Sequence, residues 1–405
     1  MSKRQGRHAR PSRRAVTVRR VVVAGGQAVS TVALLGSLAG TAHADGNSGT
    51  GTIKVTVIGD SYTSGEGASA GTYRTVTVTG PSGDLESVID PAHESASAPT
   101  LQALSRIQQQ NPNVTFEITF VPVSGATRDS LYNVTRPGTE FEHSPQIDAV
   151  NGADIVIVGI GGNDAHFGDL AQTMLTSKEA TTEAAFANFM APLQNGSYLN
   201  AQLAVYQDIA DRMSPNGTMI ALGYPKVMPD QVPSGSSSPM SELLISTREA
   251  QLANQFGSTI SSLNQQAIET LAQSTGRNFL YGDVTNALNG HELFTQQEGL
   301  NGLDFLNLQG SYHPNDLGQT LISNTLTPTV NQAVIYALGN LGLVGPPAPD
   351  PQPLPTVDAP PTVDPPISSP PGDQPPPGDP GDPGDPVVDP PPADPVPDPS
   401  PEMCG

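Results

Sequence analysis

Five short apolar, largely β-branched runs punctuate the middle of the chain: Ile53–Ile58, Phe116–Val123, Ala153–Ile160, Met219–Tyr224 and Phe279–Val284. Between them, apolar positions recur at helical spacing over Thr100–Gln109, over Thr182–Met213 with breaks, over Ser241–Ser274 and over Asn315–Leu341. A near-continuous apolar strand is one buried on both faces, and strands alternating with amphipathic helices are the pattern of a parallel sheet covered on both sides. The pattern predicts an α/β fold, a three-layer α/β/α domain around a central, mainly parallel five-stranded sheet. One stretch breaks the rule. Tyr73–Thr79 alternates polar and apolar residues and runs into Gly80-Pro81-Ser82-Gly83, which predicts an inserted hairpin beside the first strand, forming a wall or lid of a cleft.

The two ends of the chain carry different patterns. All eight cations of the first 44 residues lie before Val21, an apolar, small-residue run follows from Val21 to Gly40, and Ala42-His43-Ala44 closes it. A basic region, an apolar core and an A-x-A site in series predict an export signal over 1–44; Arg13-Arg14 fits either of the two bacterial export routes. The tail, 346–405, holds 25 prolines, 11 acids and no cation, and repeats Gly-Asp-Pro three times from Gly378 to Pro386. Such a segment has no apolar face to bury and is expected to be a disordered, extended spacer, serving either as a stalk through a cell envelope or simply as a solubilising tail. The folded part is therefore expected at 45–345.

Charge narrows the function classes. The formal net charge is −21; without the basic leader, ten cations face 39 acids. That balance argues against nucleic acid and against capture by anionic lipid. No run beyond the leader approaches 18 apolar residues, so no transmembrane anchor is expected. Cys404 stands alone near the C-terminus. An intramolecular disulfide and a cysteine-based metal site are thereby excluded, leaving an interchain link through Cys404 open.

In parallel α/β sheets ligands bind beyond the carboxyl ends of the strands. Past the first three predicted strands lie Gly59-Asp60-Ser61, Ser124-Gly125-Ala126-Thr127 and Gly161-Gly162-Asn163-Asp164. Small and polar residues thus meet on one rim. Ester cleavage needs a nucleophile, a base to take its proton and donors where the oxyanion develops. Ser61 is the candidate nucleophile, although a Ser after a strand is commonly a helix N-cap. His313, before Pro314 and the last helix, is the candidate base.

These residues resemble the SGNH (GDSL-type) hydrolases, especially the secreted actinobacterial esterases and lipases. The first block reads Gly59-Asp60-Ser61-Tyr62-Thr63-Ser64-Gly65-Glu66-Gly67; Gly125 matches the second, Gly161-Gly162-Asn163-Asp164 the third, and His313 in Ser311-Tyr312-His313-Pro314-Asn315 the last. Four blocks in order span nearly all of the expected domain, whose three layers are then flavodoxin-like. The resemblance implies an acyl-enzyme on Ser61, His313 as general base and acid, and an oxyanion hole made by the Ser61 and Gly125 N–H groups and the Asn163 amide. A glycine at 125 suits close approach of a backbone donor; Asn163 alternatively suits a turn. Asp60 and Asp164 are expected behind the site, accepting loop N–H groups.

The sequence also departs from the family pattern. Many members carry D-x-x-H, whereas Gly310 stands three residues before His313. Either a main-chain carbonyl near Gly310 or Ser311 orients His313, or another acid does, Asp304 and Asp316 being nearest. The common Cys-His-Arg-Ser motif is replaced by Ala92-His93-Glu94-Ser95. His291 is expected to be structural or pocket-lining, and His166 a loop residue. Neither metal-ligand spacing nor a nucleotide-binding glycine fingerprint is present, so no cofactor is expected. The expected activity is secreted carboxylic ester hydrolysis on a small-molecule or lipid ester. A carbohydrate O-deacetylase and a catalytically silent envelope-binding protein on the same fold are the alternatives; low aromatic content, with no Trp, disfavours a sugar-stacking platform.

Overall fold

The computed structural model describes residues 21–22, 51–79, 84–232, 245–302 and 310–343. Outside the described residues lie the expected tail, the leader apart from Val21–Val22, the hairpin turn Gly80-Pro81-Ser82-Gly83, and Asp304.

The strands are β1 (Val21–Val22), β2 (Gly51–Gly59), β3 (Thr75–Thr79), β4 (Leu85–Ile89), β5 (Val114–Phe120), β6 (Ile155–Gly159), β7 (Thr218–Leu222) and β8 (Leu280–Gly282). The main sheet has the order β1-β5-β2-β6-β7-β8. Its five strands from β5 to β8 are parallel, and β1 pairs antiparallel with the β5 edge. The five predicted apolar runs are these five parallel strands, shifted by a few residues. The second strand ends at Phe120, yet its bonding to β2 runs on past Pro122, the Val121 N–H donating to the Val57 oxygen at 3.1 Å and the Val123 N–H to the Gly59 oxygen at 3.0 Å. Central β6 is buried throughout, as its unbroken Ile-Val-Ile-Val run requires.

The helices are α1 (Ser61–Ser64), α2 (Pro99–Gln110), α3 (Phe167–Thr176), α4 (Glu179–Gln194), α5 (Ser197–Arg212), α6 (Thr247–Thr275) and α7 (Asp316–Asn340). The ends of α6 follow from local chemistry. Ser246 and Glu249 form a reciprocal capping box at its start, and Gly276 at φ 67° closes it. The sequence pattern did not signal α3, whose N-cap His166 makes no side-chain cap and stands at φ 65°. Pro314 lies two positions before α7; Asn315, between them, is the N-cap, accepting the Gly318 N–H.

Alternate strand residues face opposite layers. Val55, Val57, Ile155 and Ile157 pack with Leu104 and Ile107 of α2 and Ile322 and Leu326 of α7. Ile58, Val156 and Val158 pack with Tyr206 and Ile209 of α5 and Ile268 of α6 on the other face. Each of these side chains contributes roughly 1.5–3 kcal/mol by leaving water, so the sheet is rigid where it matters: at the carboxyl end of β2. There the chain goes to β5 on one side while β6 lies on the other, which is the topological switch point.

Candidate active site

The switch point is opened by glycines. Gly59 and Gly159 are register partners on β2 and β6. A Cβ on Gly59 would stand 2.2 Å from the Gly159 carbonyl oxygen, and one on Gly159 would stand 2.3 Å from Thr63 Oγ1. The short turn α1 can therefore settle directly onto the strand ends. Asp60, not Ser61, is its N-cap, with the carboxylate accepting the Tyr62 N–H at 3.1 Å. That leaves the Ser61 hydroxyl free of capping, at the first helical position.

His313 comes from 252 residues along the chain, and its Nε2 lies 2.8 Å from Ser61 Oγ. Its Nδ1 stands 3.1 Å from the Ser311 main-chain oxygen. A carbonyl can only accept, so Nδ1 carries the hydrogen and Nε2 is left to take the proton of the serine. Of the two nearby acids, Asp316 accepts the Ser69 N–H at 2.9 Å and the Ser69 hydroxyl, and Asp304 lies outside the described residues. Gly67 is what lets the histidine loop approach, since a Cβ there would come within 2.8 Å of His313 Cβ, and its φ is 91°. Asn301 fastens the two loops: its Nδ2 donates to the Gly67 oxygen at 2.7 Å while its N–H donates to the His313 oxygen at 2.9 Å.

The predicted donors lie just beyond the ends of β2, β5 and β6. Gly125 has φ 78° with nothing within 4 Å of its Cβ position; the backbone angle, rather than crowding, is what calls for glycine. Asn163 donates one amide hydrogen to the Ala126 oxygen at 2.8 Å, which holds the group against the Gly125 turn and leaves its second hydrogen available. Asp164 accepts the Arg128 N–H at 3.0 Å and pairs with the Arg128 guanidinium at 3.3 Å. Among the described residues, neither the Ser61 N–H nor the Gly125 N–H donates to the protein.

Several participants carried no sequence signal. Tyr224, just past β7, donates to Asp60 Oδ2 at 2.5 Å and accepts the Gly162 N–H at 2.9 Å, so one hydroxyl ties the nucleophile turn to the asparagine loop. Its place beyond a strand end was the available clue. Tyr62 packs its ring 5.1 Å from the His313 ring and donates to the Tyr312 oxygen at 3.0 Å. Burial pushes the Asp60 carboxyl up to about 7, against the lowering effect of the Tyr224 and Tyr62 hydrogen bonds. Buried Glu66 accepts from His93 Nδ1. The hairpin β3–β4 leaves from this region: Tyr73 accepts the Gly67 N–H at 2.8 Å, and Arg74 at its base pairs with Glu94 at 2.9 Å and Asp90 at 3.5 Å.

His166 pairs with Asp169 at 2.7 Å, and His291 stands 2.7 Å from the Gln297 oxygen; neither is joined to the Ser61–His313 pair. Among the described residues, no group of three His, Cys, Asp or Glu is arranged to hold a metal, and no helix is long and apolar enough to cross a membrane.

Residues 55–326, more than half the chain, match the family described as GDSL-like Lipase/Acylhydrolase. The chain belongs to this family. The GDSL-like chain is thus a carboxylic ester hydrolase. It is 28% identical over 279 residues to Lipase 1 of Streptomyces coelicolor, covering 68% of this chain and 85% of that one. It is 30% identical over 189 residues to a lipase of Streptomyces rimosus, covering 46% of this chain and 63% of the relative. Among solved structures, the extracellular lipase of S. rimosus is 25% identical with a TM-score of 0.51, covering 69% of this chain and 99% of that one. Phospholipase A1 from Streptomyces albidoflavus shares the fold at 23% identity, with the same TM-score and coverage.

Proposed function

We propose that this GDSL-like hydrolase is exported and cleaves lipid carboxylic esters through an acyl-enzyme on Ser61. The carrying observation is the 2.8 Å contact between Ser61 Oγ and His313 Nε2, with Nδ1 anchored on a main-chain oxygen. In this reading Ser61 Oγ attacks the ester carbonyl carbon as Nε2 takes its proton. The oxyanion that forms is met by the N–H groups of Ser61 and Gly125 and by the free hydrogen of the Asn163 amide. Collapse breaks the bond to the alcohol oxygen, which leaves with the proton from Nε2. Water then repeats the sequence on the acyl-enzyme and releases the acid.

The export signal read at 1–44 and the similarity to an extracellular lipase support secretion. Two relatives described as lipases and a fold neighbour described as a phospholipase A1 favour a lipid ester. Ser61→Ala should lose several decades of kcat on nitrophenyl esters with its circular dichroism unchanged. A folded variant keeping about a hundredth or more of wild-type turnover removes Ser61 as nucleophile. Acyl chains of two to sixteen carbons, run beside acetylated sugars, test the lipid preference; faster turnover of acetylated sugars overturns it.

A further inference from the structure

The family's description spells its first block Gly-Asp-Ser-Leu, and three of those letters stand in this chain as Gly59, Asp60 and Ser61. The fourth does not: Tyr62 takes the place of the leucine. A tyrosine brings an aromatic face and a hydrogen-bonding tip to the residue that follows the nucleophile. Both meet the histidine loop.

The Tyr62 hydroxyl donates to the Tyr312 main-chain oxygen at 3.0 Å. Tyr312 immediately precedes His313 and stands at φ 62°, a left-handed conformation that a bulky residue rarely adopts and that persists only where its surroundings fix it. Its N–H is fixed as well, donating to the Asn301 oxygen at 2.9 Å. Burial, with the nearby Asp60 carboxyl, pushes the Tyr62 hydroxyl far above its ordinary range, so it stays protonated and remains a donor. The ring of Tyr62 lies 5.1 Å from the His313 ring, centroid to centroid, with the planes inclined at 43°. The Tyr224 ring meets the Tyr62 ring edge-on at 5.6 Å, and Tyr224 is itself tied to Asp60 and Gly162. An aromatic ring attracts a cation within about 6 Å of its centroid. His313 becomes such a cation when it takes the serine proton.

We propose that Tyr62 is a positioning residue for His313: its hydroxyl holds the left-handed Tyr312 turn that sets where the imidazole stands, and its ring stabilises the imidazolium that forms during attack. The inference rests on the Ser61–His313 reading. The charged and titratable groups around this contact are Asp60, which accepts the Tyr62 N–H, Glu66 on the nucleophile loop, Tyr224 against the Tyr62 ring, Tyr312 beside His313, and Asp316 at the start of α7. A change confined to Tyr62 leaves all of them in place, so every other group that bears on His313 is common to the wild type and the variants.

Tyr62→Phe removes the hydroxyl and keeps the ring; Tyr62→Leu removes both and restores the letter of the family's description. Steady-state kinetics of the full chain on a short nitrophenyl ester give kcat and KM, and kcat/KM followed from about pH 4 to pH 9 at constant salt gives the acid limb that reports protonation of His313. Fluorophosphonate labelling of Ser61, read by intact-protein mass spectrometry, counts the working sites, so that kcat is expressed per site. In Tyr62→Phe kcat should fall about fivefold, the loss expected for one hydrogen bond, with KM and the midpoint unchanged. In Tyr62→Leu kcat should fall about twentyfold, and the midpoint should drop by about half a unit, a threefold change in the protonation equilibrium. A side chain that only fills space lowers the count of working sites or raises KM and leaves the midpoint where it was. A Tyr62→Phe variant within about twofold of wild-type kcat overturns the inference, whether or not the Leu variant folds. So does an unmoved or raised midpoint in a folded Tyr62→Leu. Absence of labelling at Ser61 in the wild type is a different failure, overturning the nucleophile assignment and this inference with it.

Discussion

Asp60 is where pH should act most strongly on the fold. Its carboxyl is 1% exposed, and burial displaces its pKa from 3.8 to about 7. The unfolded chain returns it to its ordinary value. Between those two values the folded state holds a proton that the unfolded state has released, so stability must fall as pH rises through the window. The displacement amounts to about 4 kcal/mol once both states are ionised, of which about 2.5 kcal/mol is lost between pH 5 and pH 9. Asp60→Asn keeps an oxygen for the Tyr62 N–H and presents its amide nitrogen to the Tyr224 hydroxyl, but it cannot ionise. Urea unfolding followed by circular dichroism at pH 5, 7 and 9, at fixed ionic strength, measures both proteins. Relative to the variant, the wild type should lose about 2.5 kcal/mol across that range. A difference constant to within about 0.5 kcal/mol, or one that moves in the wild type's favour, refutes the argument.

Three further substitutions separate the parts of the site. Asn163→Ala should lower kcat about a hundredfold to a thousandfold with little change in KM, the ordinary loss for one oxyanion donor; steady-state kinetics on a short nitrophenyl ester decide it, and a change in KM alone removes the assignment. Gly67→Ala places a Cβ 2.8 Å from His313 Cβ and 2.7 Å from the Pro314 oxygen at a φ of 91°. It should therefore lower kcat at least about tenfold and the unfolding free energy by about 1–3 kcal/mol, measured by turnover and by thermal melting. Asp316→Asn should keep kcat within about tenfold of wild type, because its carboxylate is engaged by Ser69 rather than by His313; a thousandfold loss with the fold intact would make Asp316 the acid of a triad.

The sheet was legible because burial on both faces writes itself into composition. Ile155, Val156, Ile157 and Val158 leave no alternation to misread, and all four are fully buried. Element ends were less legible. β5 ends at Phe120, three residues before its apolar run does, and α3 starts from an uncapped histidine at positive φ. Neither feature leaves a periodic trace. The sequence's own departure, Gly310 in place of an acid, left a carbonyl or a distant acid as alternatives for orienting His313. The geometry places Nδ1 against the Ser311 oxygen, a contact that any residue at 311 can offer and that no residue type announces.

What sequence reasoning passed over has a common physical form. Tyr224 bridges to Asp60 across 164 residues, Gln319 to Glu66 across 253, and His93 to Glu66 across 27. Each is a polar group whose partner is chosen by the sheet order rather than by spacing along the chain. Placing β2 between β5 and β6 brings the loops after three strands to one rim, and the histidine loop arrives there because α7 packs against α2 on the layer beneath. Once these loops are closed over buried carboxylates, every carboxylate must find donors or a neighbouring cation, or give up its charge. Asp60 and Glu66 answer that demand oppositely: burial pushes Asp60 toward its proton despite its bonds to a neutral hydroxyl and a main-chain N–H; Glu66, bonded to the His93 imidazole, is held below its ordinary range. Two acids six residues apart on one nucleophile loop thus shift in opposite directions, burial prevailing at Asp60 and the imidazole partner prevailing at Glu66.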